Sequence, residues 1–445
     1  MNPQFTHILS KKGKTYTFNI GGAGCEKKVT RCPIFINKDP LYIFGFGQDS
    51  LGIFKTDSQL LISLADGHGP KIEGKYISYK VHEYILPLIS QEEQTIIDLI
   101  KQNDNKSINS LICAIFEDVN KIILYEDENT SKFNRGGTTF TLVHKIIDQE
   151  DGTLYSLTYN VGDSPHFKIS LENEIQQRNV DHNCDSMESV EEYYNYCLEK
   201  DITPSSVILG RFNMRSHFQA IWMGYNTINP FILDIVEGKY KLKSNTEVMR
   251  KFYEEAPTNI KETILYNGGP QSIRGRERNI KALSQGEFPI ENFGSTLDGD
   301  LQNFNSFGDK ISVTKHNIMC RPNIFIDKIT KDHYDFIGSD GPVDCLTDTD
   351  ILELFKQKPS MDMEEFTELV TNTIDIKALE GGFPLSTINN IPTWDDNSFW
   401  VVSTEYVNDY ELRIKELEEE NEVMLKLGRE IEKQIRTINR VIDKL

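Results

Sequence analysis

The chain has 445 residues, 38% of them hydrophobic with 24 Phe and 18 Tyr, which supports a core and excludes a disordered protein. A net charge of −20 and a pI near 5.0 exclude a polyanion-binding surface, which needs clustered Lys and Arg, so no nucleic acid partner is expected. Seven scattered cysteines with no Cys-x-x-Cys pair exclude a disulfide framework and a structural zinc site, and no run approaches the ~20 apolar residues of a membrane span. Residues 1–20 also lack the apolar core of a signal peptide, so a soluble intracellular chain, cytoplasmic or nuclear and without a membrane partner, is expected.

In chain order, Leu60-Leu61-Ile62-Ser63-Leu64-Ala65 reads as a buried strand that ends abruptly in Asp66-Gly67-His68-Gly69. The glycines let the backbone approach a ligand, and the carboxylate offers a hard oxygen to a divalent cation; the plain alternative is a tight turn. Ile72, Tyr76, Tyr79 and Leu86 follow as the face of an amphipathic helix, and a second helix is expected over Ile108–Leu124. Residues 138–143 and 154–159 read as paired strands with Asp151-Gly152 near their turn. Residues 170–290 mix acidic, aromatic and Asn-rich segments without a repeat. Tyr334–Gly338 predicts a short strand leading into Ser339-Asp340-Gly341, and a helix follows with Asp348 or Thr349 as its cap. Phe399–Ser403 reads as the last strand.

The tail is a different material. Tyr410, Leu417, Met424, Ile431, Ile438 and Leu445 recur every seventh residue, with Ile414, Asn421, Gly428, Ile435 and Ile442 at companion positions. Such a seam predicts a left-handed coiled coil, and with it a homodimer or a partner helix docked on residues 410–445. A helix packed on its own domain is the alternative, because Val423, Leu425 and Leu427 widen the apolar face.

Asp49, Asp66, Asp163, Asp340 and Asp396 each lie beside Gly, Asn or Ser at the edge of a predicted strand. Each alone reads as a turn residue. Acids at strand ends that converge on one rim repel one another, and hard divalent cations neutralise them.

Taken in order over residues 40–405, these pieces resemble the metal-dependent serine/threonine protein phosphatases of the 2C type. Gln48-Asp49, Asp66-Gly67-His68-Gly69, Gly136-Gly137-Thr138-Thr139, Asn160-Val161-Gly162-Asp163-Ser164, Asp181-His182, Phe307-Gly308-Asp309, Ser339-Asp340-Gly341 with Asp344, and Asp396-Asn397 are similar to the motifs of that family. The resemblance implies an α+β fold, a four-layer α-β-β-α sandwich of two antiparallel sheets flanked by helices, followed here by a C-terminal coiled-coil helix. Laid along this chain, it gives a phosphatase-like domain over 40–408 with an insertion at about 185–265, after an N-terminal extension over 1–39, and the heptad seam adds the coiled coil over 409–445. It further implies two Mn2+ or Mg2+ ions. Asp66 would bridge them, with the Gly67 carbonyl and Asp49 on one and Asp340 and Asp396 on the other, and Asp163 and Asp344 would serve a weaker third. Asp66 and His68 would be catalytic, with His68 as general acid, and the substrate a phosphoserine or phosphothreonine protein.

Two positions depart from that family. Phe44 stands where an Arg that binds phosphate is usual, and Asn305 where another Arg commonly precedes Phe-Gly-Asp. A ring cannot make the bidentate contact of a guanidinium. Arg135 or the Arg274, Arg276 and Arg278 cluster could substitute. Reduced activity, or a catalytically impaired scaffold that recruits partners through its coiled coil, is therefore the alternative to an active enzyme.

Overall fold

The computed structural model describes residues 3–25, 35–172, 174–179, 182, 187–208, 231–244, 305–380 and 397–442, with isolated positions between 247 and 297. Two sheets organise it. The six-stranded sheet runs in the order β1 (Gln4–Lys11), β2 (Lys14–Cys25), β20 (Asn397–Asn408), β19 (His333–Gly338), β11 (His166–Ser170) and β12 (Ile175–Gln177). The seven-stranded sheet runs β18 (Asn323–Ile329), β10 (Leu154–Val161), β9 (Phe140–Ile147), β6 (Gln59–Ala65), β5 (Asp49–Lys55), β4 (Leu41–Phe46) and β3 (Phe35–Lys38). Every pairing within the two is antiparallel. A three-stranded sheet joins β7 (Gly67–His68), β8 (Gly137–Thr138) and β17 (Phe307–Gly308). Two short pairs, β13 (Val207–Ile208) with β16 (Thr296–Leu297) and β14 (Phe231–Val236) with β15 (Lys239–Ser244), lie in or after the expected insertion.

The apolar run of β6 is buried at all seven positions because the strand has a core on each side. Leu60, Ile62 and Leu64 join Tyr16, Phe18, Val143 and Trp400 between the two sheets. Leu61 and Ala65 turn the other way, onto helices α1 (Lys71–Gln91), α2 (Glu93–Lys101) and α3 (Asn105–Lys121), where Val81, Ile85, Ile112 and Phe116 cover them. Burying each of these leucine, isoleucine and valine side chains contributes about 1.5–3 kcal/mol. The helix expected from residue 108 starts at Asn105, where the Asp104 carboxylate accepts from the Ser107 amide at 3.1 Å.

After α4 (Met187–Glu199) and α5 (Lys310–His316), three helices cover the six-stranded sheet: α6 (Asp340–Cys345), α7 (Asp348–Gln357) and α8 (Met363–Glu380). Phe355, Phe366 and Val370 pack there on Phe336, Phe399 and Val401. The cap of α7 corrects the expectation of Asp348 or Thr349. Thr347 accepts from the Asp350 amide, and the Asp350 carboxylate accepts from the Thr347 amide, a reciprocal box that starts the helix one residue earlier.

Residues 4–25 do not lie outside the domain, as a boundary at residue 40 would have it. β2 pairs with β20 from Lys14↔Asn408 to Cys25↔Asn397, and Leu9, Tyr16 and Phe18 are core residues. The described part of the segment expected as an insertion has its own core, in which Tyr193, Tyr194, Cys197, Val207 and Leu242 meet Met319. Among the described residues Cys113, Cys197, Cys320 and Cys345 are free thiols. No helix among them is long and apolar enough to cross a membrane. β20 runs directly into the last helix, α9 (Asp409–Ile442).

One polar cluster links the sheets. Lys145 of β9 and Asp335 of β19, neither with any exposed surface, pair at 2.7 Å, and His166 Nε2 lies 2.9 Å from the second Asp335 oxygen. Burial opposes the Asp335 charge, but Lys145 and the neighbouring His333 and His166 hold its carboxyl well below the usual range.

Candidate active site

The candidate residues collect at the ends of β5, β6, β19 and β20. Gly47, at φ 68°, and Gln48 form the two-residue turn between Phe46 and Asp49, the geometry that seats a glycine at the first central position of a hairpin. Asp49 therefore opens β5, and the register Ser50↔Ala65 sets it beside Asp66 at the end of β6. Asp49 is 2% exposed, and its Oδ2 accepts from the Ser398 hydroxyl at 2.8 Å. Ser398 is bonded in turn to Ser339, whose amide reaches the Ser398 carbonyl at 2.9 Å. The next residue, Asp340, points its amide at Asp66 Oδ2, 3.4 Å away. Asp49, Asp340 and Asp66 are thus linked by a chain of contacts through Ser398 and Ser339, although 291 positions separate Asp49 from Asp340.

The three-stranded sheet assembles three of the sequence motifs. Gly67 pairs with Thr138 and His68 with Gly137, while Phe307 and Gly308 pair with the same two residues from the other side. The strand expected over 138–143 breaks here. Thr138 belongs to the small sheet, Phe140 begins the large one, and between them the Thr139 amide donates to the Asp66 carbonyl at 2.9 Å. Thr138 Oγ1 donates to the same carbonyl at 2.8 Å. A Cβ on Gly67 would strike the Gln48 carbonyl, so glycine is required by close approach.

His68 meets a residue to which the sequence had assigned no role. Its Nε2 lies 2.6 Å from Asp309 Oδ2, and the Ser306 hydroxyl donates to that oxygen at 2.6 Å. Asp309 stands in the left-handed region at φ 49°, and its amide is held by the Gly136 carbonyl at 2.7 Å. Loss of hydration opposes protonation of His68, but the charge and hydrogen bond of Asp309, with the charges of Asp163 and Asp340, outweigh it and raise the imidazole above its ordinary value. The His68 side chain keeps 38% of its surface exposed, so the ring is open to a ligand. The pair rests on Gly137, where a Cβ would collide with the Asp309 carboxylate and the His68 ring. Gly137→Ala should therefore destabilise the protein by about 1–3 kcal/mol through overpacking, seen as a lowered Tm.

Asp163 follows Gly162, at φ 98°, and this turn is propped by His182 of the Asp-His motif. His182 Nδ1 lies 3.1 Å from both the amide and the carbonyl of Gly162, and Nε2 lies 2.9 Å from the Asn323 side-chain amide nitrogen. Asp344 lies four residues beyond Asp340 on α6, one turn along the same helix face. Phe44 is a core residue, 9% exposed, with its ring edge-on to Trp400 and Phe5 between the sheets. Arg135 is exposed, and its backbone is fixed by Glu73, whose Oε2 accepts from the Arg135 and Gly136 amides at 2.9 and 2.8 Å. Asp181, Asp396 and the Arg274, Arg276 and Arg278 cluster lie outside the described residues.

Among the described residues no three His, Cys, Asp or Glu side chains stand together as a metal-binding group. The donor set nevertheless fits a hard cation: carboxylates of Asp49, Asp66 and Asp340 with a backbone carbonyl are all oxygen. Asn397 Oδ1, buried beside the position of Asp396, finds no hydrogen-bond donor among the described residues.

No family model and no characterised protein sequence matches the chain. Among the solved structures it resembles are serine/threonine phosphatases, one of them of the 2C type. A serine-threonine phosphatase 2C from Toxoplasma gondii aligns over 91% of this chain and 99% of its own, at 12% identity and a TM-score of 0.48. The catalytic domain of the phosphatase PstP, in complex with two manganese ions, aligns over 88% and 99% at 12% identity and a TM-score of 0.42. Stp1 from Staphylococcus aureus aligns over 85% and 96% at 15% identity and a TM-score of 0.40. At these scores the neighbours assign no role to any residue here.

Proposed function

We propose that the chain is a metal-dependent protein phosphatase that hydrolyses phosphoserine and phosphothreonine. The observation that carries this reading is the chain of contacts linking Asp49, Asp340 and Asp66, beside the His68–Asp309 pair of the three-stranded sheet. The three groups of core residues, with helices against the outer face of each sheet, support the four-layer arrangement that goes with it.

Asp66, the Gly67 carbonyl, Asp49, Asp340 and Asp396 would hold two Mn2+ or Mg2+ ions, with Asp163 and Asp344 at a third. Bound there, such ions supply Lewis-acid polarisation of the phosphoryl oxygens and a nucleophilic water at neutral pH. Asp309 anchors His68 through Nε2 and favours the charged ring, which leaves Nδ1–H to protonate the departing Ser or Thr oxygen. Arg135, exposed on the segment against Gly69, is the cation this reading assigns to the substrate phosphate in place of Phe44.

The test is manganese-dependent hydrolysis of a phosphopeptide. His68→Ala should lose about 10²–10⁴-fold in kcat on an alkyl phosphate, and far less on an aryl phosphate whose leaving group needs no proton. If the wild type turned over no faster than Asp340→Asn, the enzyme reading would be abandoned. The burial of Phe44 in the core favours the second reading, an impaired scaffold, and that result would select it.

A further inference from the structure

Helix α9 carries an apolar stripe that its own domain does not cover. Every described side chain from Asn421 to Gln434 is exposed, among them Met424 at 65%, Leu425 at 56%, Leu427 at 57% and Ile431 at 50%. Ile414 and Leu417 are exposed as well. This removes, for the described residues, the alternative of a helix packed on its own domain. With Ile414, Asn421 and Gly428 at heptad position a and Leu417, Met424 and Ile431 at d, Leu425 falls at e and Leu427 at g. A stripe of this width on a helix about 51 Å long needs a partner.

Two features of the same helix choose the partner and its direction. Charge is segregated along the sequence: residues 409–422 hold seven acidic and two basic residues, and residues 423–442 hold five basic and two acidic. That order suits the macrodipole of a lone helix, and it also makes two antiparallel copies complementary and two parallel copies repulsive. Side-chain size gives the same direction. In an antiparallel pair centred on Lys426, Gly428 of one copy faces Met424 of the other, so the longest side chain of the stripe fills the gap left by the smallest. In that register Leu425 meets Leu425 and Leu427 meets Leu427, which gives the two flanking leucines apolar partners. In a parallel pair Gly428 would face Gly428, and Leu425 and Leu427 would lie beside Glu420 and Glu432. Asn421 faces Ile431 in the antiparallel register, which weakens that layer without redirecting the helix.

We propose that α9 is a self-complementary interface that pairs antiparallel with α9 of a second copy about a two-fold axis at Lys426. The two catalytic domains then stand at opposite ends of the paired helices.

The experiment uses the full chain at tens of micromolar. Light scattering should give twice the mass of the chain, and Met424→Glu with Ile431→Glu should halve that mass while helix content and catalytic activity stay unchanged. Under mild oxidation, with the wild type as the blank for native thiols, Leu425→Cys should form a disulfide-linked dimer and Asn421→Cys should not. Cross-linking at Asn421→Cys instead would establish a parallel pair and overturn the proposal. A monomeric wild type would show that the stripe takes a different chain, and a double variant that stays dimeric would place the interface elsewhere; either result also overturns it.

Discussion

Asp66→Asn should yield a folded protein that has lost at least about 10³-fold in manganese-dependent kcat, the scale of the several kcal/mol that metal ions contribute to a phosphoryl-transfer transition state. The substitution keeps the shape of the side chain. It leaves the backbone carbonyl of residue 66 on Thr138 Oγ1 and the Thr139 amide, so the strand end and the Gly67–His68 pairing persist. What it removes is one negative charge from a group in contact with Asp340 and adjacent to Asp49. Without divalent cations those carboxylates repel one another, so the metal-free variant should melt no lower than the metal-free wild type. Adding manganese should raise the Tm of the wild type and leave the variant nearly unmoved. Phosphopeptide turnover and thermal melting in parallel check both parts. A variant that kept more than a tenth of wild-type kcat would show that Asp66 is a turn residue and no metal ligand.

Mild acid should destabilise the fold strongly, through histidines held neutral in the core. His82 and His144 are each pushed down to about 3 by burial, and His182 to about 4. His82 is fixed between Ser63 Oγ at 2.7 Å and Ser50, and His144 between Gln59 at 2.9 Å and the Tyr159 hydroxyl. A folded-state value below the unfolded one means that only the unfolded chain takes up the proton as pH falls through about 6.5, so stability is complete above that pH and is lost below it. At pH 5 each of the three costs about 2 kcal/mol, together about 6 kcal/mol against the 5–15 kcal/mol typical of a domain. Glu192 works in the opposite direction, since burial and Glu188 raise it to about 7. Its side chain is 36% exposed, so solvent screens the offset, which stays smaller than the contribution of one histidine. Urea midpoints at pH 7.5 and pH 5.0 measure the difference, and His144→Gln should remove about 2 kcal/mol of it. Equal midpoints at the two pH values would contradict the burial of neutral rings.

What could be read from residues alone was local. The run ending at Ala65 reads as a strand that stops at Asp66, because side-chain patterning and turn chemistry act over a few residues, whereas the hairpin turn at Gly47 that brings Asp49 beside it emerged only in the structure. The heptad of the tail and its segregated charges were present in the sequence, as was the order of the Gly- and Asp-containing motifs. The residue that completes the site was not. Asp309 reaches His68 across 241 positions, and only the pairing of Phe307-Gly308 with Gly137-Thr138 determines that they meet.

Burial was equally hidden where both outcomes suit one residue type. Phe44 could have lined a pocket or a core, and the facing sheet with Trp400 decided for the core. Lys145 and Asp335 carry no sequence signal of burial, and only the closing of two sheets buries their ion pair. The membership of residues 4–25 in the six-stranded sheet also waited on β20, nearly four hundred residues later, because the hydrogen bonds of a strand are made with its neighbour. Periodicity and turn residues determined which kind of element occupies much of the chain and which motifs carry carboxylates. Tertiary structure decided which of those carboxylates share a rim and which histidine has a charged partner, because contacts between distant segments depend on packing that no local pattern encodes.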